Sequence, residues 1–250
     1  MNLKGGVGKT VTAINVASIL AQDHHKRVLV VDADSQCNAT EFLLDDGEEP
    51  FGTLTDILRN NGSGTFCITN TGEPNVSLIP ADDNLMALDL SAIGGKAVHL
   101  DALRNALADI AAADLFDYAI IDCPPAFSAA CAAALIAAQD VIVPIKLDAF
   151  SLRGMSNLYK QIAGMKRINQ TLRVVGCLVT MWYNSPELDR AYQELLQSIL
   201  PIFGTRIRRS DRVDGMTFAQ EPLRRYSPRS AAGVDYRRFV EELIGGDKNG

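Results

Sequence analysis

Near the start of the chain, Lys4-Gly5-Gly6-Val7-Gly8-Lys9-Thr10 brings together residue types that can grip a phosphate. Glycines at 5, 6 and 8 let the main chain close round phosphate oxygens with its N–H groups inward. A helix beginning near Gly8 adds the positive end of its dipole. Lys9 is placed to reach the β and γ phosphates of a nucleotide, and the Thr10 hydroxyl to ligate Mg²⁺. The predicted nucleotide contacts run from Lys4 through Gly5, Gly6, Val7, Gly8, Lys9 and Thr10 to Val11. An ordinary loop of this kind has glycine at position 3, where this chain has Leu3. Lys4 stands outside the cradle, so its ammonium needs a surface position or a phosphate approached from another direction.

Two carboxylate clusters fit the same chemistry. Val28 to Val31 form a compact apolar run closed by Asp32, with Asp34 two residues on. Tyr118 to Ile121 form a second run closed by Asp122, then Cys123-Pro124-Pro125. Such runs are buried parallel strands, and sites in parallel sheets lie at their C-terminal edge. Asp32 and Asp34 are therefore candidates to face the phosphates, and Asp122 to hold the water shell of Mg²⁺ or the attacking water.

The elements that must position these residues follow in alternation. The pattern predicts a helix over 9–22, strands over 27–32, 76–79, 118–122, 141–145 and 172–180, and helices over 54–59, 84–90, 97–111, 151–168, 186–199 and 231–243. The small-residue stretch 126–138 reads as a buried helix. Strand, helix, strand at these separations implies right-handed crossovers and a mostly parallel sheet with helices on both faces. A phosphate loop normally leaves the end of a buried strand, yet only Met1, Asn2 and Leu3 precede Lys4. The expectation is that the true start lies upstream and that a first strand of about six residues is absent.

Composition narrows the class. A chain of 250 residues with 47% hydrophobic content suits one α/β core, so residues 1–250 are expected to form a single domain. Five cysteines lack metal-ligand spacing and fit a reducing cytoplasm; three histidines make a zinc site improbable on composition. No apolar run reaches 18 residues. The net charge of −6 hides an asymmetry: residues 1–125 hold 7 basic and 18 acidic side chains, residues 126–250 hold 17 and 12. Arg206, Arg208, Arg209 and Arg212 cluster in the basic half, with Arg224, Arg225 and Arg229 close behind and Arg237 and Arg238 later. Guanidiniums gathered this way can contact DNA phosphates without reading bases, and they can equally form a solvated face among Asp211, Asp214, Glu221 and Asp235.

In this order, Lys4 to Thr10, Val31-Asp32-Ala33-Asp34-Ser35-Gln36 with Asn38-Ala39-Thr40, and Ile121 to Pro125 resemble the ParA/Soj group of partition ATPases, within the deviant Walker A class that also holds MinD. Weaker echoes at Val143-Pro144 and Tyr226-Ser227-Pro228 carry the likeness along nearly the whole chain. The resemblance implies a P-loop NTPase fold, ATP and Mg²⁺ as cofactors, and a homodimer when ATP is bound. Lys9 and Thr10 would act in their own subunit, and Lys4 would cross to the partner's nucleotide. Asp34 would support attack of water on the γ phosphate, with Thr10, Asp32 and Asp122 near the metal. It further implies nonspecific double-stranded DNA binding, hydrolysis stimulated by a ParB-like protein, and a nucleoid-associated, cytoplasmic protein without stable membrane association. Departures are Ser35 for the usual proline, Val11 for the second threonine, Asp214-Gly215-Met216 for Ser-Glu-Ala, and Gln220 for a frequent glycine. Thr180 to Asn184 match loosely and are placed to wall the adenine, while Trp182 reads equally as core or interface. A MinD-like membrane-positioning ATPase and a nucleotide-binding scaffold for a protein cargo stay open as alternatives; the segment 239–250 is poor in the basic amphipathic character the former needs.

Overall fold

The computed structural model describes residues 1–45, 47–61, 64–93, 97–148, 151–197 and 200–246. In chain order the elements are α1 (Lys9–Asp23), β1 (Val28–Asp32), α2 (Asn38–Leu43), α3 (Leu54–Asn60), a 3₁₀ turn (Gly64–Cys67), β2 (Thr69–Asn70), β3 (Val76–Ile79), α4 (Asn84–Ile93), α5 (Ala102–Ala112), β4 (Tyr118–Asp122) and α6 (Ala129–Ala137). They continue as β5 (Asp140–Lys146), α7 (Ser151–Met165), β6 (Arg173–Trp182), α8 (Pro186–Leu196), β7 (Ile202–Arg208), α9 (Arg212–Ala219), α10 (Leu223–Tyr226) and α11 (Ala231–Gly246). Every predicted element is present, with ends shifted by a few residues. Residues 198–199 of the predicted helix 186–199 and residues 247–250 of the tail lie outside the described residues.

The parallel sheet forms in two blocks, ordered β2-β3-β1-β4 and β5-β6-β7. All pairings are parallel except β2 with β3. Ahead of the loop, Met1 donates its terminal amine to the Ile142 carbonyl and Asn2 its side-chain amide to that of Pro144 at 2.8 Å. Met1 to Leu3 thus lie along β5, beside the Asp122 and Cys123 end of β4, whose charges act on the terminal ammonium.

Both faces of β1 are covered, as its unbroken apolar run requires. Val28 and Val30 pack with α1 and α11, whereas Leu29 and Val31 pack with α3 and α5. Helix α1 is buried nearly all round, from Thr12 to Ala21, because α10 and α11 cover the side the sheet does not. Its polar interior positions are satisfied locally: Asn15 donates to the Val11 carbonyl at 2.8 Å and accepts from the Leu223 amide at 2.9 Å, and Thr12 bonds Tyr236 at 3.1 Å. A third cluster joins β5 and β6 to α6, α7 and α8.

β7 ends its block, so its outer N–H groups need partners. Carboxylates of α11 supply them: Glu242 accepts from Gly204 at 2.6 Å and Thr205 at 2.9 Å, and Asp235 accepts from Arg208 at 3.0 Å. Phe203 meets Phe239 edge to face at 4.8 Å beneath this seam.

Candidate functional site

The loop, Asp32, Asp34, Asp122 and the end of β6 meet at the C-terminal edges of the strands. Gly6 and Gly8 have φ of +67° and +82°, a backbone that β-carbons oppose, and nothing approaches within 4 Å of where a Cβ on Gly5 or Gly6 would stand. The mouth of the loop is therefore open to a ligand. Val7 alone of the loop is fully buried, and its carbonyl accepts from the Thr180 hydroxyl at 2.9 Å. Val11 packs partly buried against the α1 core.

Lys9 folds back so that its ammonium donates to the Lys4 carbonyl at 3.3 Å. Burial lowers its pKa, against the pull of Asp122 and Asp34. The Thr10 hydroxyl bonds the Asp122 carboxyl group. Asp122 is 2% exposed, its Oδ2 is buried with no hydrogen-bond partner, and burial pushes its pKa up to about 8 despite the Thr10 bond. A carboxylate oxygen left bare beside a threonine hydroxyl and a lysine is a vacancy for charge that a cation relieves, so these donors fit Mg²⁺.

Asp32 serves a different end. Its Oδ1 accepts the Asp34 amide at 3.0 Å, and its Oδ2 accepts the Thr40 amide at 2.9 Å and the Thr40 hydroxyl at 2.8 Å. The same hydroxyl accepts from Ala81 at 2.9 Å. Desolvation raises the Asp32 pKa, with these donors opposing. Asp32 is thus the peg on which the 34–40 loop hangs, and it holds Asp34 at the site. Asp34 is 6% exposed and accepts the Gln36 amide at 3.0 Å. Cys37 turns the loop into α2 with φ of +55°.

Lys4 is not free: its ammonium pairs with Asp148, the two side chains 40% and 34% exposed. Sequence reasoning passed over Asp148, although it follows the apolar strand β5 as Asp32 and Asp122 close theirs. Cys123 and Cys131 hydrogen-bond to each other; this bond lowers the Cys123 pKa and raises that of Cys131.

The arginines divide. Arg206, Arg208, Arg209 and Arg238 line a cleft of about 680 Å³ with Trp182, Tyr183 and Asn184. Arg206 lies 4.3 Å over the Trp182 ring and 4.8 Å over Tyr192, and Arg208 is committed to the buried Asp235 at 2.8 Å. The side chains of Arg209 and Arg212 are exposed and have no ion-pair partner among the described residues. The structure does not bring Arg224 and Arg225 to this cleft: Arg224 pairs with Asp23 at 2.5 Å, and Arg225 with Glu73 and Glu221, each at 3.6 Å. Trp182, 7% exposed, is both core to β6 and wall to the cleft.

A family model described as an AAA domain matches residues 1–174. The chromosome partitioning protein ParA of Caulobacter vibrioides is 30% identical over 254 residues, spanning 99% of this chain and 93% of that protein. The chromosome-partitioning ATPase Soj of Thermus thermophilus is 32% identical over 246 residues, spanning 97% and 93%. Among solved structures, cobyrinic acid a,c-diamide synthase of Mycobacterium smegmatis with bound ATP analogue and magnesium superposes with a TM-score of 0.84 at 27% identity, covering 99% and 93%.

Proposed function

The chain belongs to the ParA-type family of partition ATPases, and from that premise we propose that it hydrolyses ATP in a nucleotide-held dimer that grips DNA without reading its sequence. The observation that carries the reading is the open glycine loop with Lys9 above it and the bare Asp122 oxygen beside Thr10.

In this reading residues 1–250 act as one ATPase domain. The amides of Gly5 to Gly8 surround the phosphates, and Lys9 leaves the Lys4 carbonyl for the β and γ oxygens. Thr10 and Asp122 hold Mg²⁺, which supplies charge neutralisation on the phosphates. Asp32 acts through Asp34, fixing the loop so that Asp34 can orient the attacking water. Lys4 exchanges Asp148 for the partner subunit's nucleotide, so its charge reaches the reacting phosphate only after assembly, which ties turnover to dimerisation. DNA phosphates meet Arg209 and Arg212, with Arg206 and Arg238 at the cleft rim, and a ParB-like partner stimulates hydrolysis and release. The protein thereby positions a plasmid, a chromosome region or a mobile element on the nucleoid.

Fluorescence anisotropy of labelled duplex DNA with ATP, ADP or no nucleotide, at two salt concentrations, tests this. Binding that requires ATP and weakens with salt is expected. A folded protein that binds ATP and ignores DNA in every state overturns the DNA part and turns attention to membrane or protein cargo.

A further inference from the structure

Thr180 sits on β6, outside the glycine loop, the acidic strand ends and the arginine face. It is 3% exposed, and its hydroxyl donates to the Val7 main-chain oxygen at 2.9 Å. The Val7 carbonyl and the Gly8 N–H belong to one planar peptide group and point to opposite sides of it. Holding the oxygen against β6 therefore turns the Gly8 N–H away from β6. Gly8 adopts φ of +82° at this joint, and a Cβ built there would stand 3.9 Å from Thr180 Cγ2. The Thr180 hydroxyl thus ties the loop to β6, with its methyl on the side of Gly8 where a side chain would stand.

We propose that Thr180 is a positioning residue for nucleotide binding: its hydroxyl presets the Val7–Gly8 peptide so that the Gly8 amide meets a phosphate without rearrangement. This rests on the ATP reading above. Without the bond the peptide can rotate and the buried Val7 oxygen loses its donor, so an arriving nucleotide must order the loop itself. The Thr180 bond goes to the loop backbone, so the loss falls on affinity and not on the chemical step.

The test compares wild type, Thr180→Val, which keeps the shape and removes the donor, and Thr180→Ser, which keeps the donor. Binding of a fluorescent ATP analogue with Mg²⁺ and steady-state hydrolysis are read for each. Thr180→Val is expected to raise both the dissociation constant and KM roughly tenfold with kcat nearly unchanged, and Thr180→Ser to restore most of the affinity. If wild type binds and Thr180→Val binds as well, or if Thr180→Ser is as weak as Thr180→Val, the proposal falls while the ATP reading stands. If wild type itself binds no nucleotide, the ATP reading falls and takes the proposal with it. Should Thr180→Val not fold, Thr180→Ala against Thr180→Ser makes the same comparison.

Discussion

At Asp122 the fold holds a carboxyl group in a state water would not choose. Its folded pKa of about 8 lies above the ordinary 3.8, so the native state binds this proton more tightly than the unfolded chain does. The sign follows: no penalty exists below about 3.8, the penalty grows as pH rises, and it is complete above about 8. In metal-free buffer at pH 7.5, Asp122→Asn should therefore stabilise the protein by on the order of 2 kcal/mol in urea unfolding, while Mg²⁺-dependent hydrolysis is lost. A destabilised variant, or wild-type stability flat between pH 4 and 8, contradicts this account of the carboxyl group. Lys9 and Asp34 separate binding from turnover. Lys9→Ala should abolish nucleotide binding, and Asp34→Ala should keep it while hydrolysis falls about 100-fold or more; both are read by calorimetry beside a phosphate-release assay.

The seam between β7 and α11 is held by polar groups in places where an amphipathic helix usually relies on apolar ones. Asp235, 3% exposed, accepts the Arg208 amide and its guanidinium, so Asp235→Ala leaves a half-buried backbone donor unmet and frees a charge. We expect a loss of about 1–2 kcal/mol in chemical denaturation, with nucleotide affinity of the remaining folded protein unchanged. β7 also shows what the sequence could not reveal. Gly204, Thr205, Arg206 and Arg208 give it no apolar run, and only Phe203 and Ile207 are buried, so its strand character comes from pairing with β6 and from the α11 carboxylates. By contrast β1, buried throughout, and β4, half-buried with only Asp122 fully enclosed, are parallel strands whose composition announces them, and the loop glycines announce the start of α1. α2 escaped notice because it is six residues long and begins at a left-handed Cys37. The parts of the site that lie in one stretch were legible, including the loop, Asp34 and Asp122. The parts made by distant segments were not: Asp148 against Lys4, Thr180 against Val7, and the diversion of Arg208, Arg224 and Arg225 into ion pairs.

The charge asymmetry between the halves becomes, in three dimensions, an acidic nucleotide edge beside a basic cleft, with part of the basic charge already spent. Of Arg206, Arg208, Arg209, Arg212, Arg224 and Arg225, Arg209 and Arg212 alone lack a carboxylate or aromatic partner among the described residues. Arg209→Glu with Arg212→Glu should therefore reduce DNA affinity at least tenfold and flatten its salt dependence, with ATP binding intact. Arg224→Ala should do little to DNA and act instead on stability, through Asp23. Equal effects of the two changes on DNA affinity would show that the footprint is wider than the unpaired guanidiniums.

Trp182 is the single tryptophan of the chain, and the Arg206 guanidinium lies 4.3 Å above its ring. Two residues before it on the same strand stands the hydroxyl that braces the glycine loop, and between them Met181 holds a left-handed backbone at φ of +54°. The indole therefore sits at the junction of the nucleotide edge and the cationic cleft. An occupant that draws the guanidinium off the ring changes the environment of the only strong intrinsic fluorophore, so the unlabelled protein carries its own optical gauge of traffic between the two regions.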